Sequence, residues 1–494
     1  MASSVVHHVD QVPRARYQNA GLLAGPALFT LMLLLGAQQQ MMSVEAWRTA
    51  AVGFWMATWW ATEAIPVPVT ALLPIVTFDL LGIATANEAA APYSNTIIYL
   101  FLGAFILSLS VERWNLHRRL ALMILSHTGT EGKRLIFGFM LVAALLSMWM
   151  TNTSTTMMLM PIAISVATVI IENADGLSAR QGKDFQKAML LGLAFAATIG
   201  GLATLVGTPP NALLAAFLSE NYGIEISFVR WMMVGLPVTI IMLPLAWVLL
   251  TRIVYKVEVP ESEFARKQLT RMKDEMGPVS APEKRVAIIF AFVIIAWILR
   301  RPISGWLPVE GLTDTGIAMA GALLLFLVPS GDRYQSHLMT WHDVVRLPWG
   351  VLILFGGGLS LASAVANSGL ALWLGESLSP ISSLGALVMI VAATGLVIFL
   401  TELTSNLATT ATFLPVVGAI AIQSGISPLV ICIPVTLAAS CAFMLPVSTP
   451  PNAIVYSAGI LTIPDMVNAG ILLNLAGMCL VTMVAMWITP IVFG

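Results

Sequence analysis

Two short polar clusters interrupt long apolar runs in this chain, and they are the same cluster written twice. In Met150-Thr-Asn-Thr-Ser-Thr-Thr-Met-Met-Leu-Met-Pro161, the residues Thr151 to Thr156 form an unbroken run of hydroxyl and amide side chains. Thr404-Ser-Asn-Leu-Ala-Thr-Thr-Ala-Thr-Phe-Leu-Pro415 repeats it 254 residues later, with Asn152/Asn406, Thr155/Thr409, Thr156/Thr410 and Pro161/Pro415 in register. A polar group without a partner in hydrocarbon costs several kcal/mol, so such a cluster persists only where protein, water or ligand satisfies it. Two clusters in register, one in each half of the chain, read as a single site built from both halves.

The surroundings are those of a bilayer. The 494 residues are 58% hydrophobic and only 10% charged, and the mean hydropathy is +0.88. A soluble domain carries roughly 25% charge, so the reading is an all-α polytopic membrane protein. The net charge of −1 and the lack of a basic block speak against a nucleic-acid partner. Cys432, Cys441 and Cys479 lie in apolar segments and have no disulfide or metal-ligand spacing. Residues 1–19, with His7 and His8, read as a soluble tail.

Apolar runs long enough to span lie near 20–37, 44–62, 66–83, 187–219, 231–251, 284–300, 313–330 and 466–492, and interrupted ones near 96–125, 348–374 and 429–458. The hydrophilic break at 252–285 holds eight Lys/Arg and six Asp/Glu and divides the chain into a first repeat, 20–251, and a second, 286–494. Arg14, Arg16, the 252–285 loop, Arg333 and Arg346 mark a cytoplasmic side, which puts the N-terminus in the cytoplasm; the connections near 37–43, 84–95 and 219–229 lack Lys and Arg and face outward. Arg300-Arg301 depart from that rule and read as an interfacial anchor.

Basic residues flank 135–171 on both sides, which requires an even number of crossings. About 37 residues hardly suffice for two full spans at ~1.5 Å per residue across ~30 Å of hydrocarbon. A re-entrant hairpin with Thr151–Thr156 at its tip fits better. Its counterpart, 383–422, has no flanking Lys or Arg and enters from the opposite face, as an inverted repeat requires. Each hairpin is followed by a broken helix: Gly207-Thr-Pro-Pro-Asn-Ala212 within 187–219, and Ser448-Thr-Pro-Pro-Asn-Ala453 within 429–458. Each proline removes an N–H and clashes with the preceding turn, so the helix must break there.

Broken helices expose N–H groups, which favour anions, and carbonyls, which with Ser, Thr and Asn oxygens favour small hard cations. This places Asn152, Thr153, Ser405 and Asn406 on an anion, and Ser147, Thr151, Thr401 and Ser405 on flanking cations. No Lys, Arg or His occurs in 347–494, 135–179 or 188–229. Diffusible cations must therefore neutralise a bound dianion there. Glu402 reads either as a proton or cation carrier or as an acid held by backbone N–H groups. Gly356-Gly357-Gly358 reads as close helix packing rather than a phosphate loop. No catalytic constellation stands in the apolar segments, so the chain does not read as an enzyme.

With its hairpin motifs Thr151-Asn152-Thr153 and Ser405-Asn406-Leu407, and its Thr208-Pro209 and Thr449-Pro450 pairs, the whole chain resembles the divalent-anion/sodium symporter family. The resemblance implies eleven transmembrane helices plus two re-entrant hairpins, a homodimer in a bacterial inner membrane, and a transport domain that moves against a scaffold in an elevator-type mechanism. It implies one sodium site at Ser147, Thr151, Asn152 and Gly207 and another at Thr401, Ser405, Asn406 and Ser448. Substrate contacts would come from Asn152, Thr153, Thr208, Pro209, Ser405, Asn406, Leu407, Thr449 and Pro450. Thr151 replaces a serine and keeps the hydroxyl, whereas Leu407 replaces a threonine and removes one. The implied function is sodium-coupled uptake of C4-dicarboxylates such as succinate, malate or fumarate. Anion exchange, sulfate or citrate as substrate, sodium/proton antiport through Glu402 and a passive anion channel are the competing readings.

Overall fold

The computed structural model describes residues 14–36, 38–173, 177–306, 311–382 and 385–493, and among them the chain is all helix and turn, with a lone bridge between Pro329 and His337. Seven described helices are long and apolar enough to cross a bilayer: Arg16–Leu35, Ala86–Arg113, Asn152–Asn173, Phe228–Val254, Trp349–Asn367, Asn406–Gln423 and Ile463–Phe493. Val67–Thr77, Asp314–Leu327, Ala386–Thr401 and Pro428–Ala439 are apolar but shorter. Outward faces carry bare apolar side chains such as Leu23, Ile288, Phe292 and Leu396, which suits hydrocarbon rather than water.

Several boundaries differ from the sequence expectation, each for a local reason. His7 and His8 fall outside the described residues, and the tail expected to reach residue 19 ends sooner. The first helix begins at Arg16, where the Gln18 amide oxygen accepts from Ala15 N at 2.8 Å. The span expected over 66–83 is broken into Val67–Thr70 and Leu73–Thr77, because Pro66, Pro68 and Pro74 cannot all sit inside one helix. The helix expected from residue 187 starts at Ala179, where Ser178 and Gln181 cap it reciprocally. The 252–285 loop contains a helix, Glu263–Asp274, whose Ala265 and Leu269 are buried. Arg300 has a partner: it pairs with Asp314 at 3.3 Å, and Asp314 also accepts from Phe228 N at 2.9 Å.

Each half contains a helix pair joined by a four-residue turn, followed by a helix that stops and restarts; in the first half the turn is Met148–Thr151, and Asn152 to Thr156 of the polar run open the returning arm instead of forming the tip. The first pair is Gly132–Ser147 and Asn152–Asn173; the second is Ala386–Thr401 and Asn406–Gln423, and residues 383–384 at its expected start lie outside the described residues. The stop-and-restart helices are Ala179–Gly201 with Pro209–Tyr222, and Pro428–Ala439 with Pro450–Ser457.

The halves interlock. Pro209–Tyr222 packs on the second arm of the second hairpin, and Pro450–Ser457 packs on the second arm of the first. Around this centre, Thr96–Arg113 lies against Asp314–Leu327, and Trp349–Asn367 packs on the second hairpin. The glycine run 356–358 is where that last helix meets its neighbours. A Cβ on Gly357 would stand 2.2 Å from Ala71 O, so the run serves close helix packing.

Candidate functional site

The first hairpin turns at Met148–Thr151. Thr151 caps the returning arm, its Oγ1 accepting from Ser154 N at 3.2 Å and donating to Ser154 Oγ at 3.1 Å. Ser147, fully buried, donates its hydroxyl to Asn152 Oδ1, and Thr156 Oγ1 donates back to Asn152 O at 2.8 Å. The tip is tied to the break behind it, because Thr204 Oγ1 donates to Met148 O. A Cβ on Gly201 would meet Asn152 Oδ1 at 2.8 Å, and one on Gly207 would meet Gly201 O at 2.5 Å. The Asn152 amide, the Ser147 hydroxyl and the Gly201–Gly207 backbone therefore crowd one spot, and only glycine fits at either end of the loop.

The second tip repeats this arrangement in other residues. Thr401, fully buried, sets its one hydroxyl hydrogen between two acceptors, Asn406 Oδ1 at 2.9 Å and Ala439 O at 2.8 Å. Thr410 Oγ1 donates to Asn406 O at 2.8 Å, as Thr156 does to Asn152. Ser448, in the second break, donates to Leu445 O at 2.6 Å. Asn152, Thr153, Ser405 and Asn406 are half-buried, so each tip keeps polar atoms within reach of a ligand above a buried hydroxyl. Thr208 and Thr449 are the N-cap residues of the restarting helices, and Pro209 and Pro450 follow them at the first helical position. Leu407, at 5% exposure, is packed in the apolar core.

Two equivalent knots result: in the first, Ser147 and Asn152 meet the Gly201–Gly207 loop while Thr151 caps the returning arm; in the second, Thr401 joins Asn406 to Ala439, Ser405 is the N-cap of the returning arm and Ser448 is tied into its own break. The interlocked arms set each restarting helix against the opposite hairpin. Both knots are built from hydroxyl, amide and carbonyl oxygens, donors suited to a small hard cation.

Of the two readings of Glu402, the geometry gives the hydrogen-bonded one. Its carboxylate accepts from Phe443 N at 2.8 Å, Met444 N at 3.0 Å, Leu445 N at 3.1 Å and Asn474 Nδ2 at 2.6 Å. Four donors and 3% exposure leave it a structural anion that fastens the second tip to its break. Sequence reasoning missed Thr204, Asn474, Asn211 and Asn452. The last two were visible as the closing residue of each Thr-Pro-Pro-Asn, though nothing local shows where their amides reach.

Two equivalent oxygen-lined knots at helix interruptions, inside an apolar helical body, define a membrane transport protein of the secondary type. Residues 17–494 match the family profile described as the sodium:sulfate symporter transmembrane region, and the chain belongs to that family as an integral membrane protein. It is 39% identical over 97% of its length, and 92% of the relative's, to the sodium-dependent dicarboxylate transporter SdcS of Staphylococcus saprophyticus. It is 38% identical to the SdcS of Staphylococcus aureus strain USA300, over 98% of this chain and 93% of that one. Among solved structures, the fold is shared with the Alcanivorax borkumensis YdaH transporter (TM-score 0.53, 13% identity, 96% and 98% of the two chains). It is also shared with Neisseria gonorrhoeae MtrF (TM-score 0.56, 12% identity, 97% and 96%).

Proposed function

We propose that this chain carries C4-dicarboxylates such as succinate, malate or fumarate into the cell together with sodium. The observation that carries the reading is the pair of equivalent oxygen-lined tips in segments that hold no Lys, Arg or His: 135–179, 188–229 and 347–494. A dianion in such surroundings needs compensating charge, and helix ends supply only about half an elementary charge each, locally. Sodium ions at the knots supply the rest. The dicarboxylate named for the SdcS relatives of two Staphylococcus species sets the substrate class.

In this reading Ser147, Thr151, Asn152 and Gly207 hold one sodium ion, and Thr401, Ser405, Asn406 and Ser448 the other. Asn152, Thr153, Ser405 and Asn406 take the carboxylates. Thr208-Pro209 and Thr449-Pro450 begin the helices that face the anion, while Leu407, packed in the core where its counterpart Thr153 is half-buried, offers the anion no contact in the second half. Each Asn amide stands where a cation site meets the anion site, so sodium and dicarboxylate bind together. The first arms, of 16 residues each, are about 24 Å long at 1.5 Å per residue, short of a ~30 Å bilayer. The returning arms, Asn152–Asn173 and Asn406–Gln423, are long enough to cross, so hairpins that enter partway, one from each face, are supported by the short first arms together with the flanking charges. The charge pattern supports a cytoplasmic N-terminus, and the family resemblance supports eleven spans, a homodimer in a bacterial inner membrane and elevator-type movement of a transport domain.

The test is uptake of labelled succinate into proteoliposomes under an inward sodium gradient against a matched potassium control. Uptake should depend on sodium, and Asn152→Ala and Asn406→Ala should each weaken both ligands. Uptake that ignores sodium but requires dicarboxylate preloaded inside would establish exchange instead.

A further inference from the structure

The asparagine that closes each Thr-Pro-Pro-Asn makes the same unusual set of contacts in both halves. Asn211 Nδ2 donates to Gly201 O at 3.1 Å and to Thr204 O at 2.8 Å, ten and seven residues upstream. Asn452 Nδ2 donates to Ala442 O at 3.3 Å and to Leu445 O at 3.0 Å, again ten and seven residues upstream, and lies 3.0 Å from Ser448 Oγ. Both side chains are fully buried, at 0% exposure. In both, the amide oxygen Oδ1 is buried and meets no donor among the described residues. Other buried oxygens without partners, such as Thr155 Oγ1 and Ser440 Oγ, have no equivalent in the opposite half. A recurring geometry that leaves the same atom unsatisfied twice is not a packing accident, since each such atom forgoes a hydrogen bond it would have in water.

We infer that Asn211 and Asn452 are positioning residues for cation binding. Each clasps the two ends of its break into a closed loop and so fixes Gly207 or Ser448 against the hairpin tip. The loops carry no regular backbone ladder of their own between residues 202 and 208 or between 440 and 449. Carbonyl oxygens can bind a cation only if they already point the same way, because reorienting them on binding costs backbone entropy. The side-chain amide does that aligning from inside the loop: its hydrogens are spent on loop acceptors, two backbone carbonyls in each half and Ser448 Oγ as well in the second, and the cation meets the loop from the tip side, where Asn152 or Asn406 stands. The inference rests on the sodium-coupled reading above.

The experiment uses the full-length protein with Asn211→Ala, Asn452→Ala, Asn211→Asp and Asn452→Asp. The first readout is the sodium concentration giving half-maximal succinate uptake in proteoliposomes; the second is the sodium concentration that half-saturates thermal stabilisation of the purified carrier without dicarboxylate. Each Ala variant should raise both by about tenfold, as loss of two neutral hydrogen bonds predicts, and should leave KM for succinate at saturating sodium within about twofold. The Asp variants keep the oxygen and the shape but lose the donors, so they should shift at least as far. Asp variants that bind sodium as well as wild type would show that the side-chain oxygen touches the cation itself, which overturns a positioning role. Ala variants with unchanged sodium dependence overturn it too. If the Ala variants do not fold, the Asp variants decide. Wild-type protein that shows no sodium response at all would refute the coupled-transport reading instead.

Discussion

The two knots perform one task with different parts. In the first half, the break reaches out to the hairpin tip: the Thr204 hydroxyl bonds Met148 O. In the second, the tip reaches out to the break: Glu402, at the position equivalent to Met148, gathers the N–H groups of Phe443, Met444 and Leu445. Leu445 in turn stands where Thr204 stands in the first half. Among the described residues, Ser147 bonds only within its own hairpin, whereas Thr401 also reaches Ala439 O. The geometry of the site is thus nearly symmetric while its fastening is not. The second half is braced by a full negative charge and the first by neutral hydrogen bonds and close glycine contacts. What is repeated between the halves marks the site itself; what is not repeated marks how each half is held.

The largest effect should come from removing the unshared charge. Glu402→Ala strands three backbone N–H groups and the Asn474 amide in a buried setting, at a cost on the order of 3 kcal/mol or more. The loss of folded carrier, measured by unfolding in detergent, should be severe. Met148→Ala, at the equivalent position, should stay folded and transport, since Met148 is held through its backbone oxygen. If the two substitutions prove equally mild, the fastening is not asymmetric as described.

Gly207 sharpens the comparison from the other side. Its counterpart Ser448 carries a side chain without difficulty, yet a Cβ on Gly207 would stand 2.5 Å from Gly201 O, a backbone atom that cannot swing away. Gly207→Ser, although it merely copies the second half into the first, should cost about 1–3 kcal/mol as an overpacked contact. It should also weaken sodium-dependent thermal stabilisation. A Gly207→Ser carrier with wild-type stability would mean that the first loop can open as wide as the second.

These contrasts show what the sequence could reveal. The hairpins, the breaks and the pairing Asn152/Asn406 were legible because polar residues in an apolar stretch have few ways to be satisfied, and because the pattern came twice. Thr151, Ser147 and Thr401 followed from hydroxyls close in sequence to a tip. The partners of Glu402 were not legible, since they lie more than 40 residues away and three of the four face it with backbone N–H groups of apolar residues, Phe443, Met444 and Leu445. The pairing of Arg300 with Asp314, and its link to Phe228 N, was hidden for the same reason: a positive-inside count assigns a side of the membrane, not a partner. The broken span at 66–83 could have been read from its three prolines, had hydropathy not been allowed to outweigh them.

The smallest effect belongs to Thr204. Thr204→Val keeps the shape and the β-branch and removes only the hydroxyl that bonds Met148 O, so it should cost about 1 kcal/mol. The carbonyl of Asn211's clasp is a backbone atom of the same residue and stays in place, so sodium dependence of uptake should hold while detergent stability falls modestly. That separation tests whether fastening and cation alignment are distinct tasks in the first half. The tip–break tether runs through the Thr204 side chain, and the alignment runs through the Thr204 backbone oxygen to Asn211. If Thr204→Val raised the sodium requirement as much as Asn211→Ala, the two tasks would be one. The first half would then depend on its tip contact for cation binding, as the second half would if Glu402 did more than brace it.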